Sequence, residues 1–234
     1  MPKPTFLNLP DDKRDKLVEL ALDEFAAHPF HQASLSRIVE RAGIAKGSVY
    51  QYFEHKLDLY RWLLTHEVPR RKAAAQRSAT AAAGSPTDLR GWLRALVLAG
   101  IDAMLVDPRL IAIVAPITQA TADPELRALY DELRSSGQRA FVGLLEPMRA
   151  AGQIRDDVDL ELVARIIGLV LGQGIPELVL GRVGLRLADL AAMPRRSRAR
   201  HTAAITRAVD EALELLLGGI APPAQRVETT RRRR

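Results

Sequence analysis

The chain has 234 residues, enough for one or two domains with a full core, and its 47% hydrophobic content separates it from disordered polymers. Zero cysteines exclude a disulfide framework, a thiolate metal site and a cysteine nucleophile, and they fit a reducing compartment. The net charge of +6 is concentrated in residues 226–234, which carry five arginines against Glu228, so a case for nucleic acid must rest on where charge sits within the rest of the chain.

Residues 1–10, MPKPTFLNLP, lack the apolar core of a secretory signal. The richest apolar run, 162–180, is interrupted by Arg165, Gln173, Pro176 and Glu177, which suits a buried helix and not a membrane span. Cytoplasm is the expected location, with no membrane partner. Aromatics are scarce, Ala and Leu are plentiful and no strand pattern persists, so the expected fold class is all-α.

A first helix is expected over 11–27, with Asp11 and Asp12 complementing its positive end and Leu17, Leu20, Ala21 and Phe25 on its buried face. His28 and Pro29 end it. The next stretch, SLSRIVERAGIAKGSVYQYFEHK over 34–56, reads as two short helices around a Gly turn. Leu35, Ile38, Val39 and Ala42 recur at i, i+3, i+4, i+7, with Ser34 as N-cap and Gly43 as the left-handed stop. The second helix, over 46–53, divides its labour. Val49 and Phe53 form an apolar stripe, while Lys46, Ser48, Tyr50, Gln51 and Tyr52 offer donors, acceptors and aromatic edges. Gln can reach base edges in the major groove, Ser and Tyr hydroxyls can bond phosphate, and Gly47 allows close approach to a duplex. Lys46 and Lys56 can neutralise phosphates, and Ser34 and Ser36 place two further hydroxyls at the start of the first helix of the pair.

Over AGIAKGSVYQYFEHKLDLY, residues 42–60, and more faintly back to Leu17, the chain resembles the tetracycline-repressor (TetR) family of bacterial transcription regulators. The resemblance implies that 45–53 is the recognition helix and that Lys56 opens the following helix near the DNA backbone. It also implies that Lys46, Gly47, Ser48, Tyr50, Gln51, Tyr52 and Lys56 line the interface. Two departures stand out: Ala45 sits where the family often has a Ser cap, and Pro29 where a helix-ending Gly is common.

A fourth helix is expected from His55 through Leu57, Tyr60 and Leu64, with Pro69 kinking or breaking it. Gly84, Ser85 and Pro86 read as a loop. Proline and glycine then divide the body into helices over 87–106, 108–121, 124–151, 158–183 and 203–217, with Asp107 and Asp123 as N-caps, Gly152 as a stop and arginine-rich 185–201 as a mobile connection. The expected organisation is a helix-turn-helix head at 11–68, a helical effector-binding and dimerisation domain at 69–220 and a basic, disordered tail at 221–234.

Gly168 and Gly172 lie four apart, and Ile205, Val209, Ala212, Leu213 and Leu216 form a stripe on the last helix. In the resembled family the last two body helices form a dimer interface, so both stripes are candidates for homodimer contact. Such a dimer would set its recognition helices about 34–36 Å apart on a palindromic operator. Trp92, Met104, Ile113, Ile117, Tyr130, Phe141 and Leu145 are candidates for an apolar pocket holding a small hydrophobic effector, a role the resemblance implies for this domain.

Enzyme templates fit poorly. Gly172-Gln173-Gly174 begins like a dinucleotide fingerprint, but Glu177 stands where a third Gly is needed. Asp156, Asp157, Asp159 and Glu161 lack the Gly of a calcium loop and suit capping instead, and the five histidines have no paired ligand spacing. No cofactor, metal or catalytic residue is expected. The leading expectation is a ligand-responsive repressor on double-stranded DNA, and the alternative is a helical ligand-binding or scaffold protein with a vestigial helix-turn-helix.

Overall fold

Asp11 and Asp12 open a helix that runs over Asp11–Ala27, as the apolar spacing anticipates, and His28 leaves it in an extended conformation. The computed structural model describes residues 2–83, 88–119, 123–171 and 175–218. Among the described residues every regular element is helical: α1 (Pro4–Leu7), α2 (Asp11–Ala27), α3 (Leu35–Ala42), a 3₁₀ turn at Lys46–Ser48, α4 (Val49–Tyr52), α5 (Lys56–Trp62), a π turn at Leu63–Glu67, α6 (Val68–Ala83), α7 (Leu89–Val106), α8 (Arg109–Gln119), α9 (Pro124–Ala150), α10 (Leu160–Leu169), α11 (Ile175–Arg182), α12 (Leu187–Ala192) and α13 (Arg195–Leu217).

The chain forms two compact units, one of Met1–Ala73 with Asp107–Asp131 and one of Ala74–Val106 with Glu132–Arg234. In the first, Leu17, Ala21, Leu22 and Phe25 of α2 are buried together with Ile38 and Val39 of α3, Val49, Phe53, Leu59, Leu63 and, from α8, Leu110 and Ile113. Each Leu, Ile, Val and Phe among them contributes about 1.5–3 kcal/mol by leaving water. α1 was not anticipated. Its Phe6 is wholly buried, with its ring 4.7 Å from Phe53 and 5.0 Å from Trp62. A single apolar side chain in a proline-flanked turn carries no periodicity, so only its distant partners reveal it.

α8 is fastened within the same unit by polar groups. The Tyr60 hydroxyl, buried in α5, donates to the Ile113 carbonyl at 2.6 Å. Arg109 donates to both oxygens of Asp107 at 2.8 Å, to Asp23 at 2.7 Å and to Glu19 at 2.7 Å. Arg71 reaches Glu67 and Asp107 at 2.6 Å, and also Glu19. Asp107 is also a backbone cap, accepting from the Arg109 N–H at 3.2 Å, as Asp123 does for Glu125 at 2.9 Å.

Pro69 does not end its helix, as it would in a regular α-helical interior. The preceding residues widen into a π turn, with the Val68 N–H reaching back five residues to the Leu63 carbonyl, and the helix continues to Ala83. A wider turn relieves the clash between the proline ring and the carbonyl one turn earlier.

The second unit is built around one apolar cluster drawn from α7, α10, α11, α12 and α13, including Leu93, Val97, Val163, Ile167, Leu180, Leu190, Val209 and Leu213. Asp159 caps α10 by accepting from Glu161 at 2.8 Å, and Gly152 stops α9 with φ 71°, both as expected. Within the span 158–183 the described residues are helical in α10 and α11, and 172–174 lie outside the described residues. One expectation changes. The arginine-rich span 185–201 is helical in α12 and early α13, because Leu190 is buried and Arg198 donates to the Leu105 carbonyl at 3.0 Å. The expected loop at Gly84, Ser85 and Pro86 and the tail from 221 lie outside the described residues.

Candidate nucleic-acid interface

The geometry of the helix pair begins with Glu24 on α2, which is 2% exposed and accepts from the Ser34 N–H at 2.8 Å and from Arg37 at 2.9 and 2.5 Å. Ser34 in turn caps α3, its hydroxyl accepting from the Arg37 N–H at 3.4 Å. Burial pushes the Glu24 carboxyl up, but the hydrogen bonds from Arg37 and the Ser34 N–H outweigh it and hold the group below the usual carboxylate range. One acid thus fixes the start of α3 against α2. An isolated Glu on a helix gives no sign, by spacing alone, of a partner ten residues on.

Gly43 closes α3 with φ 73°, and the Ile44 N–H returns to the Val39 carbonyl at 2.9 Å. A Cβ at Gly43 would meet nothing within 4 Å, so the glycine is required by its backbone alone. Beyond it, the expected helix over 46–53 is a 3₁₀ turn followed by the four-residue α4, ended by Phe53 in an extended conformation. Val49 and Phe53 face inward as their spacing anticipates. Tyr50 is 57% exposed. Gln51 and Gly47 are exposed, while Ser48 and Tyr52 are half-buried. The Lys46 side chain lies outside the described residues. Ser36 is exposed one residue into α3.

Lys56 is more committed than a free phosphate contact. Its ammonium donates to the His31 carbonyl at 3.1 Å and the Ala33 carbonyl at 3.0 Å, and it stands 4.7 Å from the Phe30 ring centre. Burial lowers its pKa below the usual lysine value. Two of three N–H donors hold the loop before α3, and one is left over. Beside it a cleft of about 490 Å³ is lined by Ser34 and Ser36, Tyr50, His31, His55, Lys56 and the Glu54 carboxylate, among others. The cleft gathers hydroxyls, imidazoles and an ammonium along the face that carries Tyr50.

The expected pocket residues are shared between the two units. Ile113 and Tyr130 belong to the first, where Ile113 is wholly buried in the core. Trp92, Met104, Phe141 and Leu145 belong to the second. There the Trp92 and Phe141 rings are 5.4 Å apart and Leu145 is buried. The Ile117 side chain lies outside the described residues.

The expected dimer stripe also divides. Ile205, Val209 and Leu213 are buried in the single chain's own core, with Ala212 and Leu216 half-buried against it, because α13 turns that face to α7 and α11. Gly168 is exposed on α10 and Gly172 is outside the described residues. Among the described residues, the large apolar groups left in solvent on these helices are Leu162, Ile166 and Leu169 of α10, Leu178 of α11 and Leu215 of α13. An apolar spacing cannot tell a chain's own core from a partner's surface, whereas accessibility can.

Among the described residues no group of three His, Asp or Glu side chains is placed to hold a metal ion, and no helix is long and apolar enough to cross a membrane.

With this geometry in place, residues 17–62 match the family model described as bacterial regulatory proteins, tetR family. The fatty acid metabolism regulator protein of Bacillus subtilis (strain 168) is 24% identical over 156 residues, covering 65% of this chain and 76% of that protein. The HTH-type transcriptional activator FasR of Mycolicibacterium smegmatis (strain ATCC 700084 / mc(2)155) is 30% identical over 146 residues, 56% of this chain and 63% of that one. The crystal structure of a TetR family transcriptional regulator from Chloroflexus aurantiacus J-10-FL is similar at 29% identity, with a TM-score of 0.62 over 95% of this chain and 99% of that chain.

Proposed function

We propose that the chain is a DNA-binding transcriptional regulator of the tetR family of bacterial regulatory proteins, acting in the cytoplasm as a ligand-responsive repressor that holds a palindromic operator as a homodimer. The observation that carries this reading is the two-sided segment 46–53, with Val49 and Phe53 in the core and Tyr50 and Gln51 in solvent. Gln51 reads a base edge, and Tyr50, Tyr52 and Ser48 bond phosphate or sugar oxygens while Gly47 lets the backbone approach. Ser34, Ser36 and Lys56 seat further phosphates along the cleft, and Lys46 adds a cation to the segment in sequence.

The head at 11–68 binds DNA in this reading, the body at 69–220 takes the effector and the partner chain, and the basic tail at 221–234 adds salt-sensitive attraction. Leu162, Ile166 and Leu169 recur at i, i+4 and i+7 on α10, an exposed stripe that a second copy would cover, with Gly168 permitting close approach. Trp92, Met104, Phe141 and Leu145 form the apolar wall offered to the effector. The Bacillus relative is named for fatty acid metabolism, which directs the first ligand assays to fatty acids. An effector lifts repression only if it binds the conformation that cannot hold DNA more tightly than the one that can.

Mobility-shift titration with the protein's own upstream DNA tests the reading. Retardation at low salt that weakens steeply as salt rises is expected. Gln51→Ala should relax discrimination by about 1–3 kcal/mol, while Lys56→Ala should weaken all sequences alike. Absence of any retarded band at low salt from dimeric protein would overturn it in favour of the helical ligand-binding alternative.

A further inference from the structure

The recognition segment is too short to hold its own shape. α4 has four residues, and its closing bond runs from the Phe53 N–H to the Val49 carbonyl at 2.9 Å. An isolated turn of this length is unfavourable, because several dihedrals are fixed for very few hydrogen bonds. Its last three carbonyls, on Tyr50, Gln51 and Tyr52, have no partner further along the helix. All three are nevertheless satisfied from the N-terminal end of the chain. The Lys3 ammonium donates to the Tyr50 carbonyl at 2.7 Å, the Thr5 hydroxyl to the Gln51 carbonyl, and the Lys3 backbone N–H to the Tyr52 carbonyl at 2.8 Å. The Lys3 charge also lies at the negative end of the helix, where a cation is favoured. Phe6 anchors the strap, buried between Phe53 and Trp62 with its ring centre 6.4 Å from Tyr52.

We infer that residues 3–6 are a clasp that sets the pose of the base-reading turn, with Lys3 and Thr5 as positioning residues and Phe6 as their anchor. The inference rests on the reading of 46–53 as the DNA-contacting segment. The tetR family match begins at residue 17, so the clasp lies wholly outside it. The three carbonyls belong to the residues whose side chains face the duplex, so a clasp on the backbone governs where Tyr50, Gln51 and Tyr52 project without itself touching a base. It therefore acts on discrimination between sequences more than on general attraction to phosphate.

The test uses the full-length protein and a duplex that it selects from a randomised library, with a scrambled duplex of the same length as control. Lys3→Met with Thr5→Val removes both side-chain donors and keeps Phe6. The ratio of selected to scrambled affinity should fall at least tenfold, and Thr5→Ser alone should stay within twofold of the parent. Amide hydrogen exchange without DNA is the second arm. Protection at 49–53 should fall at least tenfold in the double variant while protection at 160–169 is unchanged. A selected-to-scrambled ratio within twofold of the parent, or unaltered exchange at 49–53, overturns the clasp. If the parent selects no sequence, the regulator reading fails separately, and the exchange arm alone decides whether residues 3–6 hold the turn.

Discussion

Each unit of this chain buries an apolar core of its own, but they differ in what is added to it. The first adds directed contacts: buried Glu24 and Glu67, the Arg71 and Arg109 bridges, and the Tyr60 hydroxyl on an α8 carbonyl. The second gathers longer helices around one apolar cluster, with ion pairs such as Arg182–Glu211 and Arg186–Asp189 well exposed at its surface. Exposed pairs of that kind contribute little. The lesson is that a surface needing a fixed pose over a few residues relies on angle-sensitive bonds, whereas a volume that must only be filled relies on non-directional burial.

The chain has two tryptophans, Trp62 in the first unit and Trp92 in the second, so Trp92→Phe and Trp62→Phe backgrounds report each unit separately. The largest effect is expected from Ile167→Ala, which empties a fully buried site on α10 and should cost about 2–5 kcal/mol in Trp92-monitored denaturant unfolding, with no dependence on pH. If that loss were instead carried by Trp62, the division into two kinds of scaffold would be wrong.

Next is Glu24→Ala. It removes charge-assisted bonds to Arg37 and leaves the Ser34 N–H without its acceptor, for about 2–3 kcal/mol in Trp62-monitored unfolding. Arg37 is half-exposed and can rehydrate, which keeps the loss below that of a stranded buried charge. The same unit should be acid-sensitive. Burial raises the carboxyls of Glu19, Glu24, Glu67 and Asp107, but hydrogen bonds, chiefly from arginines, outweigh it and leave all four below their ordinary values. The unfolded chain therefore binds more protons between the lowered folded values and the ordinary range near pH 4. Stability is complete above about pH 5 and is lost as pH falls through that window. Trp62-monitored midpoints should drop on acidification more than Trp92-monitored ones, and by less in Glu24→Ala than in the parent.

The smallest effect belongs to Gly43→Ala. No atom lies within 4 Å of the added Cβ, so its cost is left-handed backbone strain of about 1–2 kcal/mol, seen through Trp62 alone.

What could be read from the residues follows the same divide. Local rules found α2, the Ser34 cap, the Gly43 stop and the inward pair Val49 and Phe53, because each depends on neighbours within one or two turns. The bonds that pose the interface did not show. Glu24 meets Ser34 ten residues on, and Thr5 meets Gln51 across 46 residues, and no spacing rule reaches that far. The helicity of 187–192 was hidden by surrounding arginines, since burial of Leu190 is settled by tertiary contacts and not by local composition. The stripe on α13 was legible, but which surface it faces was not.

The five-residue reach from Val68 back to Leu63 has a consequence for the register of the helix that carries it. A π turn accommodates one residue more than the α-helix it interrupts, and one residue is about 100° of helical rotation. Shortening the turn by a single position would swing Arg71 away from Asp107 and Glu19, and would return Pro69 to a tight spiral that resists it. The bulge thus keeps time for the helix, and single-residue deletions within 63–67 should be far less tolerated than substitutions at the same places.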